Sequence, residues 1–426
     1  MPNIPLTEIV MGLSSAIDLV SPQMADHHKR VAYIASIIAS EMGLPEKDRQ
    51  QILMAGLLHD CGAIEDEERL RTFSYDFGDS AEERLKHGTM GWQILNRIDE
   101  LRCPAEIIKY HHLYWNESEF FRYKDADIPL GSYILHVADR VDVLMDRSEE
   151  VLQQRPFIRE TICSGKGTMF MPDVVDALLM VFDKEYFWFD LISPYIDGIL
   201  NDLLIQERKM VDMDKMRIIA EAFTGIIDYR SSFTADHSMG VAECAVQLSQ
   251  KMGLSEIETK MMEIAGLLHD LGKLAIPVEI LEKPGPLNSM EFNIMKKHPY
   301  YSYRILGRIS GFERINEMAS FHHERIDGTG YPFKLDGRSL SLGARIMAVS
   351  DVFTALTEKR PYRNAMSTDE AIKFISKMVM DNHLDGDVAD CLKLNVDEIN
   401  GMKLRAQQMR TTEFAVKRIY SHKRRA

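Results

Sequence analysis

Ten of the chain's 14 histidines recur in register between its two halves, at spacings that suit a metal site. His27 and His59 are 32 residues apart, and so are His237 and His269. His87 corresponds to His298, and the pair His111-His112 to His322-His323, each at an offset of 211. An aspartate follows the second histidine of each half: Asp60 closes "AGLLHD" in the octet at 55–62, and Asp270 does so at 265–272. A further aspartate completes each set, Asp139 in "HVADRVDVL" and Asp351 in "MAVSDVFTAL". Duplicated core packing would preserve leucine and isoleucine; shared ligand spacing is what a metal site imposes. The other four, His28, His136, His383 and His422, read as structural histidines.

Each set offers five imidazoles and two carboxylates, too many for one catalytic ion and suited to two with open positions. Adjacent residues on a helix diverge by about 100°. Asp270 can therefore reach between two ions while His269 faces one. Nitrogen and oxygen ligation without thiolate fits Fe, Mn, Zn, Co or Ni better than Mg or Ca. Two such ions about 3.5–4 Å apart can hold a hydroxide and stabilise both oxygens of a phosphoryl displacement. Phosphate ester hydrolysis is the chemistry this pattern predicts.

The elements that position these residues read as helices. Ile257, Met261, Ile264 and Leu268 keep the spacing of a buried stripe, and Gly272 lies where a helix would stop. The stretches 28–42, 92–100, 132–145, 239–252 and 341–357 read as amphipathic helices, and no sustained period-two segment is present. A helix over 207–217 is expected to join the halves. The offset of about 210 residues describes two related domains rather than a solenoid. The expected organisation is all-α: one domain over 1–205, a second over 206–400, and a solvated basic tail over 401–426.

Composition narrows the partners. With 45% hydrophobic and 27% charged residues, the chain is an ordinary globular protein. Its net charge of −14 argues against a nucleic-acid polymer and leaves room for a small anionic ligand. The five cysteines, Cys61, Cys103, Cys163, Cys244 and Cys391, form no CxxC and read as free thiols. The first 20 residues carry no basic leader, and no apolar run reaches about 18 residues. A cytoplasmic protein with no membrane span is expected.

The motifs "HDLGK" (269–273), "HHERIDGTGYP" (322–332) and "SDVFTALTEKRPYR" (350–363) resemble those of the HD-GYP family of bacterial cyclic-dinucleotide phosphodiesterases. The detailed match covers roughly 230–365, while the first half resembles the wider HD superfamily. The resemblance implies a helical domain that opens c-di-GMP or 3′3′-cGAMP to the linear 5′-phosphorylated dinucleotide. It implies that Asp270 bridges two divalent transition metals, Fe or Mn first, with Zn, Co and Ni open. His237, His269 and Asp351 would complete one site, and His298, His322 and His323 the other. Lys273 would contact the scissile phosphate, and Arg325 a phosphate or a guanine. The loop of Gly330, Tyr331 and Pro332 would form a rigid lip, with Gly328 and Gly330 permitting special backbone angles. Some members carry a glutamate four residues before the first histidine for a third metal; Phe233 stands here, favouring two. Thr354 stands where the family often has aspartate. A signalling partner at the lip and a homo-oligomer stay open.

The first half keeps every ligand slot in His27, His59, Asp60, His87, His111, His112 and Asp139. Ala63 replaces the lysine, and "HHLYWNESEF" replaces the Gly-Tyr-Pro loop. Metal binding is expected to persist. Two roles remain: a 5′-phosphomonoesterase acting on the linear product, or a regulatory partner without catalysis. For the whole chain, a cyclic-dinucleotide receptor that binds without turnover is the alternative.

Overall fold

The computed structural model describes residues 3–19, 25–63, 80–118, 128–204, 209–229, 237–359 and 364–422, with 228–229 and 410–422 as backbone alone. The chain divides into two compact units, Pro5–Met210 and Met1–Ile4 with Val211–Ala426. Both are helical. The strands among the described residues are the paired β1 (Ile4–Pro5) and β2 (Met210–Val211).

In the first unit, α1 (Leu6–Asp18), α2 (His27–Glu41) and α3 (Glu46–Leu58) pack together. Next come α4 (Lys86–Leu95), α5 (Arg102–Lys109) and α6 (Leu130–Val143). The second unit repeats this order with α7 (Met213–Tyr229), α8 (His237–Lys251) and α9 (Glu256–Leu268). It continues with α10 (Lys297–Leu306), α11 (Glu313–Ser320) and α12 (Leu342–Thr357). A last helix, α13 (Val396–His422), packs on α8.

The glycines of the repeated octet explain how tightly these helices meet. A Cβ on Gly266 would lie 2.5 Å from Ala242 Cα, and one on Gly56 would lie 2.5 Å from Ala32 Cα. Each lets the histidine-bearing helices touch backbone to backbone. Gly272 does not end a helix as expected, since α9 already stops at Leu268. It serves contact instead: a Cβ there would sit 2.0 Å from the His298 carbonyl oxygen, against 2.1 Å between Gly62 and His87.

Other expectations shift. The stripe on α9 turns, leaving Ile257 41% exposed while Met262 is buried, because the closing turn from Ile264 to Leu268 is enclosed on all sides. Helix α4 begins at Lys86, so the segment 92–100 holds its end and a short 3₁₀ turn. The expected helix over 207–217 is broken by β2, α7 starting only at Met213; residues 205–208 lie outside the described set. The boundary expected at 400 falls inside α13. Lys403 and Gln407 are buried there, so the start of the expected basic tail is packed helix. The side chains from Ala415 onward, His422 among them, lie outside the described residues.

Candidate metal centres

Helix ends place the ligands of the second unit. His237 opens α8, His269 caps the C-terminus of α9, and His298 is the second residue of α10. His322 and His323 follow α11, and Asp351 projects from within α12. All seven predicted residues come together. Asp270 Oδ2 is 3.1 Å from His269 Nε2 and Asp270 Oδ1 is 3.4 Å from His298 Nε2, one oxygen for each group. Asp351 Oδ1 lies 3.2 Å from His237 Nε2 and Oδ2 lies 3.9 Å from His323 Nδ1.

The tautomers show what these atoms fit. A carbonyl only accepts, so a ring nitrogen bonded to one must carry its proton. His269 Nδ1 donates to Gly266 O at 2.8 Å, His298 Nδ1 to Met295 O at 2.7 Å and His322 Nδ1 to Ala319 O at 2.6 Å. In a neutral ring so bonded, Nε2 is a lone pair. The Nε2 atoms of His298 and His322 face each other at 3.3 Å, a repulsive arrangement that a shared cation relieves. Burial depresses both rings, His298 to about 3 and His322 to about 4, so they are neutral at pH 7. Burial alone would raise Asp270, but His269 and Lys273 outweigh it and hold the carboxyl well below its usual range. The donor set fits divalent transition metals.

The site opens on one side. His323 is 28% exposed, Lys273 18% and Asp351 12%, while His237, His269 and His298 are almost wholly buried. Lys273 Nζ lies at that mouth, 2.5 Å from Asp270 Oδ2. The Gly-Tyr-Pro loop forms a lip beside it. Tyr331 N–H donates to His323 O at 3.1 Å, and the two rings lie 4.8 Å apart. The buried Glu324 carboxylate accepts from the backbone of Phe333 at 2.6 Å and of Leu335 at 3.0 Å, tying down the loop beyond Pro332. Gly328 takes a φ of +75°. Gly330 serves closeness instead, since a Cβ would lie 2.4 Å from Glu324 Cα. Arg325 hydrogen-bonds within the loop region, at 3.4 Å to Thr329 Oγ1 and 3.3 Å to His383 Nε2, not to the seven-residue cluster. A cavity of about 380 Å³ lined by Ile326, Arg338, Arg345 and Asp385 contains none of the seven.

The first unit builds the same centre. His27 opens α2, His59 caps α3, His87 is second in α4, and His111 and His112 follow α5. Asp60 again divides its oxygens, Oδ2 at 3.4 Å from His59 Nε2 and Oδ1 at 3.4 Å from His87 Nε2. Asp139 Oδ1 is 3.5 Å from His27 Nε2. Facing pairs recur at 3.2 Å, His27 with His59 and His87 with His111. Burial depresses His59 to about 3 and His87 to about 4. The difference is enclosure: no side chain of this set is more than 2% exposed.

Sequence reading missed several supporting residues. Asp142 Oδ2 holds His27 Nδ1 at 2.6 Å, and Glu358 Oε2 holds His237 Nδ1 at 2.8 Å. Arg140 is buried with Nη2 2.6 Å from Asp139 Oδ2, so a cation missing at Ala63 reappears on the other carboxylate. His28 and His136 are buried against the same cluster. Histidine spacing could not show these, but the carboxylates at Asp142 and Glu358 share one helix face with Asp139 and Asp351 respectively. That periodicity was a usable signal. Phe233, on which the preference for two ions over three rests, lies outside the described residues.

Two helical units, each gathering five imidazoles and two carboxylates into one cluster, define a tandem HD-domain phosphohydrolase. HD domain models match residues 24–144 and 216–388. The chain is 32% identical to 3′3′-cGAMP-specific phosphodiesterase 1 of Vibrio cholerae over 405 residues, covering 92% of each chain. It is 29% identical to phosphodiesterase 3 of that specificity from the same organism, covering 88% of this chain and 91% of the relative. The solved structure of a cyclic GMP-AMP-specific phosphodiesterase of V. cholerae, V-cGAP3, shares the fold. It superposes with a TM-score of 0.67 at 23% identity, over 93% of this chain and 98% of that one. The chain belongs to the HD-GYP family of cyclic-dinucleotide phosphodiesterases and is a phosphodiesterase. No helix among the described residues is long and apolar enough to cross a membrane.

Proposed function

We propose that the second unit opens 3′3′-cGAMP to its linear 5′-phosphorylated dinucleotide, with c-di-GMP as the poorer substrate. The observation that carries hydrolysis is the division of the Asp270 oxygens between His269 and His298, with Lys273 at the open mouth. The base preference is supported by relatives matched along both halves, which are named for 3′3′-cGAMP. His237, His269 and Asp351 would hold one ion and His298, His322 and His323 the other, Asp270 reaching both. Fe or Mn is the proposed pair, and when bound it supplies an activated nucleophile and Lewis acidity. Lys273 stabilises the charge developing on the phosphate oxygens. Tyr331 and Pro332 close one side against the ring, and Arg325 guides the substrate from the loop.

The test is to incubate the Mn- or Fe-loaded chain with each cyclic dinucleotide and identify products by mass. Linear 5′-phosphorylated product, faster from the mixed ring, is expected. Tight binding without turnover would replace this reading with that of a receptor.

For the first unit we propose removal of the 5′-phosphate from that linear product. The Asp60 oxygens, divided between His59 and His87 as those of Asp270 are between His269 and His298, and the Arg140 cation support a phosphate site. Its enclosure means that entry requires the site to open. His59→Ala with Asp60→Ala should stop release of inorganic phosphate while ring opening continues. Accumulation of the phosphorylated dinucleotide with the wild type would leave the regulatory role as the better account.

A further inference from the structure

We propose that His28 is an eighth ligand of the first-unit centre, its Nε2 completing an ion held with His59 and Asp60. His28 is fully buried, and Asp18 Oδ1 accepts the proton of its Nδ1. The same oxygen lies 3.5 Å from the His28 backbone N–H, so ring and backbone are fixed together. In the neutral ring, with the proton on Nδ1, Nε2 is a lone pair. That atom is shielded from solvent and has no hydrogen-bond partner. Buried polar atoms are almost always satisfied, so an orphan of this kind marks a missing partner.

Its surroundings say which partner. The ligand atoms of His28, His59 and Asp60 lie within 4.8 Å of one another, and the His28 and His59 rings are 4.8 Å apart. Both oxygens of Asp60 are themselves buried without hydrogen bonds. A water has two protons to donate, fewer than the acceptors that converge here from His28, His59 and both oxygens of Asp60. A cation satisfies all of them. The chain Asp18–His28–ion is the arrangement in which a carboxylate orients a ligating imidazole and strengthens it as a donor.

The second unit has no equivalent, because Ser238 follows His237 where His28 follows His27. The two centres of one chain therefore differ in chemistry. The first offers six imidazoles, and this extra nitrogen shifts its preference toward Co, Ni or Zn and tightens retention. The inference rests on the reading that the first unit binds metal, and the experiment separates the two.

The full chain is stripped of metal and titrated with Zn²⁺ in graded chelator buffers, bound metal per chain being read by elemental analysis. Wild type is compared with His28→Ser, Asp18→Asn, and the His59→Ala, Asp60→Ala double variant. Asp18→Asn should need ~10–100-fold more free zinc to fill its first-unit site, the scale of losing a carboxylate that orients a ligand, and His28→Ser at least as much. If the double variant holds as much metal as wild type, the first unit binds none and the underlying reading fails. If the double variant loses metal while His28→Ser titrates as wild type does, His28 is a packing residue and the proposal is overturned. Melting of the metal-free chain supplies a second readout. A ligand role predicts that His28→Ser shrinks the rise in melting temperature on adding zinc. A fall in the metal-free melting point with that rise intact would overturn it. Should His28→Ser not fold, Asp18→Asn carries the same comparison.

Discussion

Glu358 Oε2 stands 2.8 Å from Nδ1 of His237 and performs for the second centre what Asp142, at 2.6 Å, performs for His27 in the first. Asp142 occupies the position at which the second unit has the buried Thr354. The carboxylate lost at 354 is thus supplied four residues later, from the C-cap of α12. Gln407 of α13 donates to Glu358 Oε1 at 2.6 Å, so the C-terminal helix reaches the metal ligands through one intermediary.

Glu358→Ala should therefore weaken metal binding at the His237 end by ~10–100-fold, the usual cost of losing a carboxylate that orients a ligating histidine. Chelator competition reads the effect, and hydrolysis should recover at saturating metal. Gln407→Ala should act in the same direction and less strongly. A metal titration unchanged in Glu358→Ala would mean that His237 is oriented by packing alone.

Lys273 and Asp270 should separate cleanly. Lys273→Ala should keep its metals and lose ~100–1,000-fold in turnover, the scale of one transition-state charge contact. Asp270→Asn should lose both turnover and metal, because one carboxylate serves two groups of histidines. Loss of metal in Lys273→Ala would make the lysine a support for Asp270.

Packing glycines give a stability test. Gly272→Ala forces a Cβ to within 2.0 Å of a backbone oxygen and should cost ~1–3 kcal/mol or more by denaturant unfolding. Gly401, inside α13 with nothing within 4 Å of its would-be Cβ, is the control. Gly401→Ala should raise stability by ~0.5–1 kcal/mol through helix propensity. Equal effects at both positions would contradict the close contact between Gly272 and α10.

What was legible in the sequence follows from this geometry. The histidines of each unit and the aspartate after the second sit at helix ends, and the last aspartate lies within a helix, so helix lengths set their separation along the chain and duplication preserved it. The helical class was legible for the same reason. Arg140 and Gln407 are not, because each matters through a neighbour brought in by tertiary packing, and Glu358 shows only as a carboxylate in helical register with Asp351. His28 reads as structural in the sequence because it has no counterpart in the other half. Gly272 reads as a helix stop in the sequence because a helix stop and a close contact both select glycine, and only the position of α10 tells them apart. The domain end at 400 was misplaced because basic composition hides that Lys403 lies buried, its Nζ 2.5 Å from Thr357 Oγ1.

The last prediction concerns acid. Burial depresses His59 and His298 to about 3, and His87 and His322 to about 4, below the ordinary value near 6.5. In the metal-free chain the folded state therefore binds fewer protons than the unfolded state across this range. Stability then rises with pH wherever the unfolded state holds more protons. The loss should begin as pH falls through about 6.5, where unfolded histidines charge, and continue toward 4. Bound metal competes with the same protons, so the metal-loaded chain should begin its loss at a lower pH. Thermal melting between pH 7.5 and 4.5, with and without metal, measures both curves. A metal-free melting point that stays level from pH 7 to 5 would show that these rings take up protons while folded, and the lone-pair argument for the centres would fall with it.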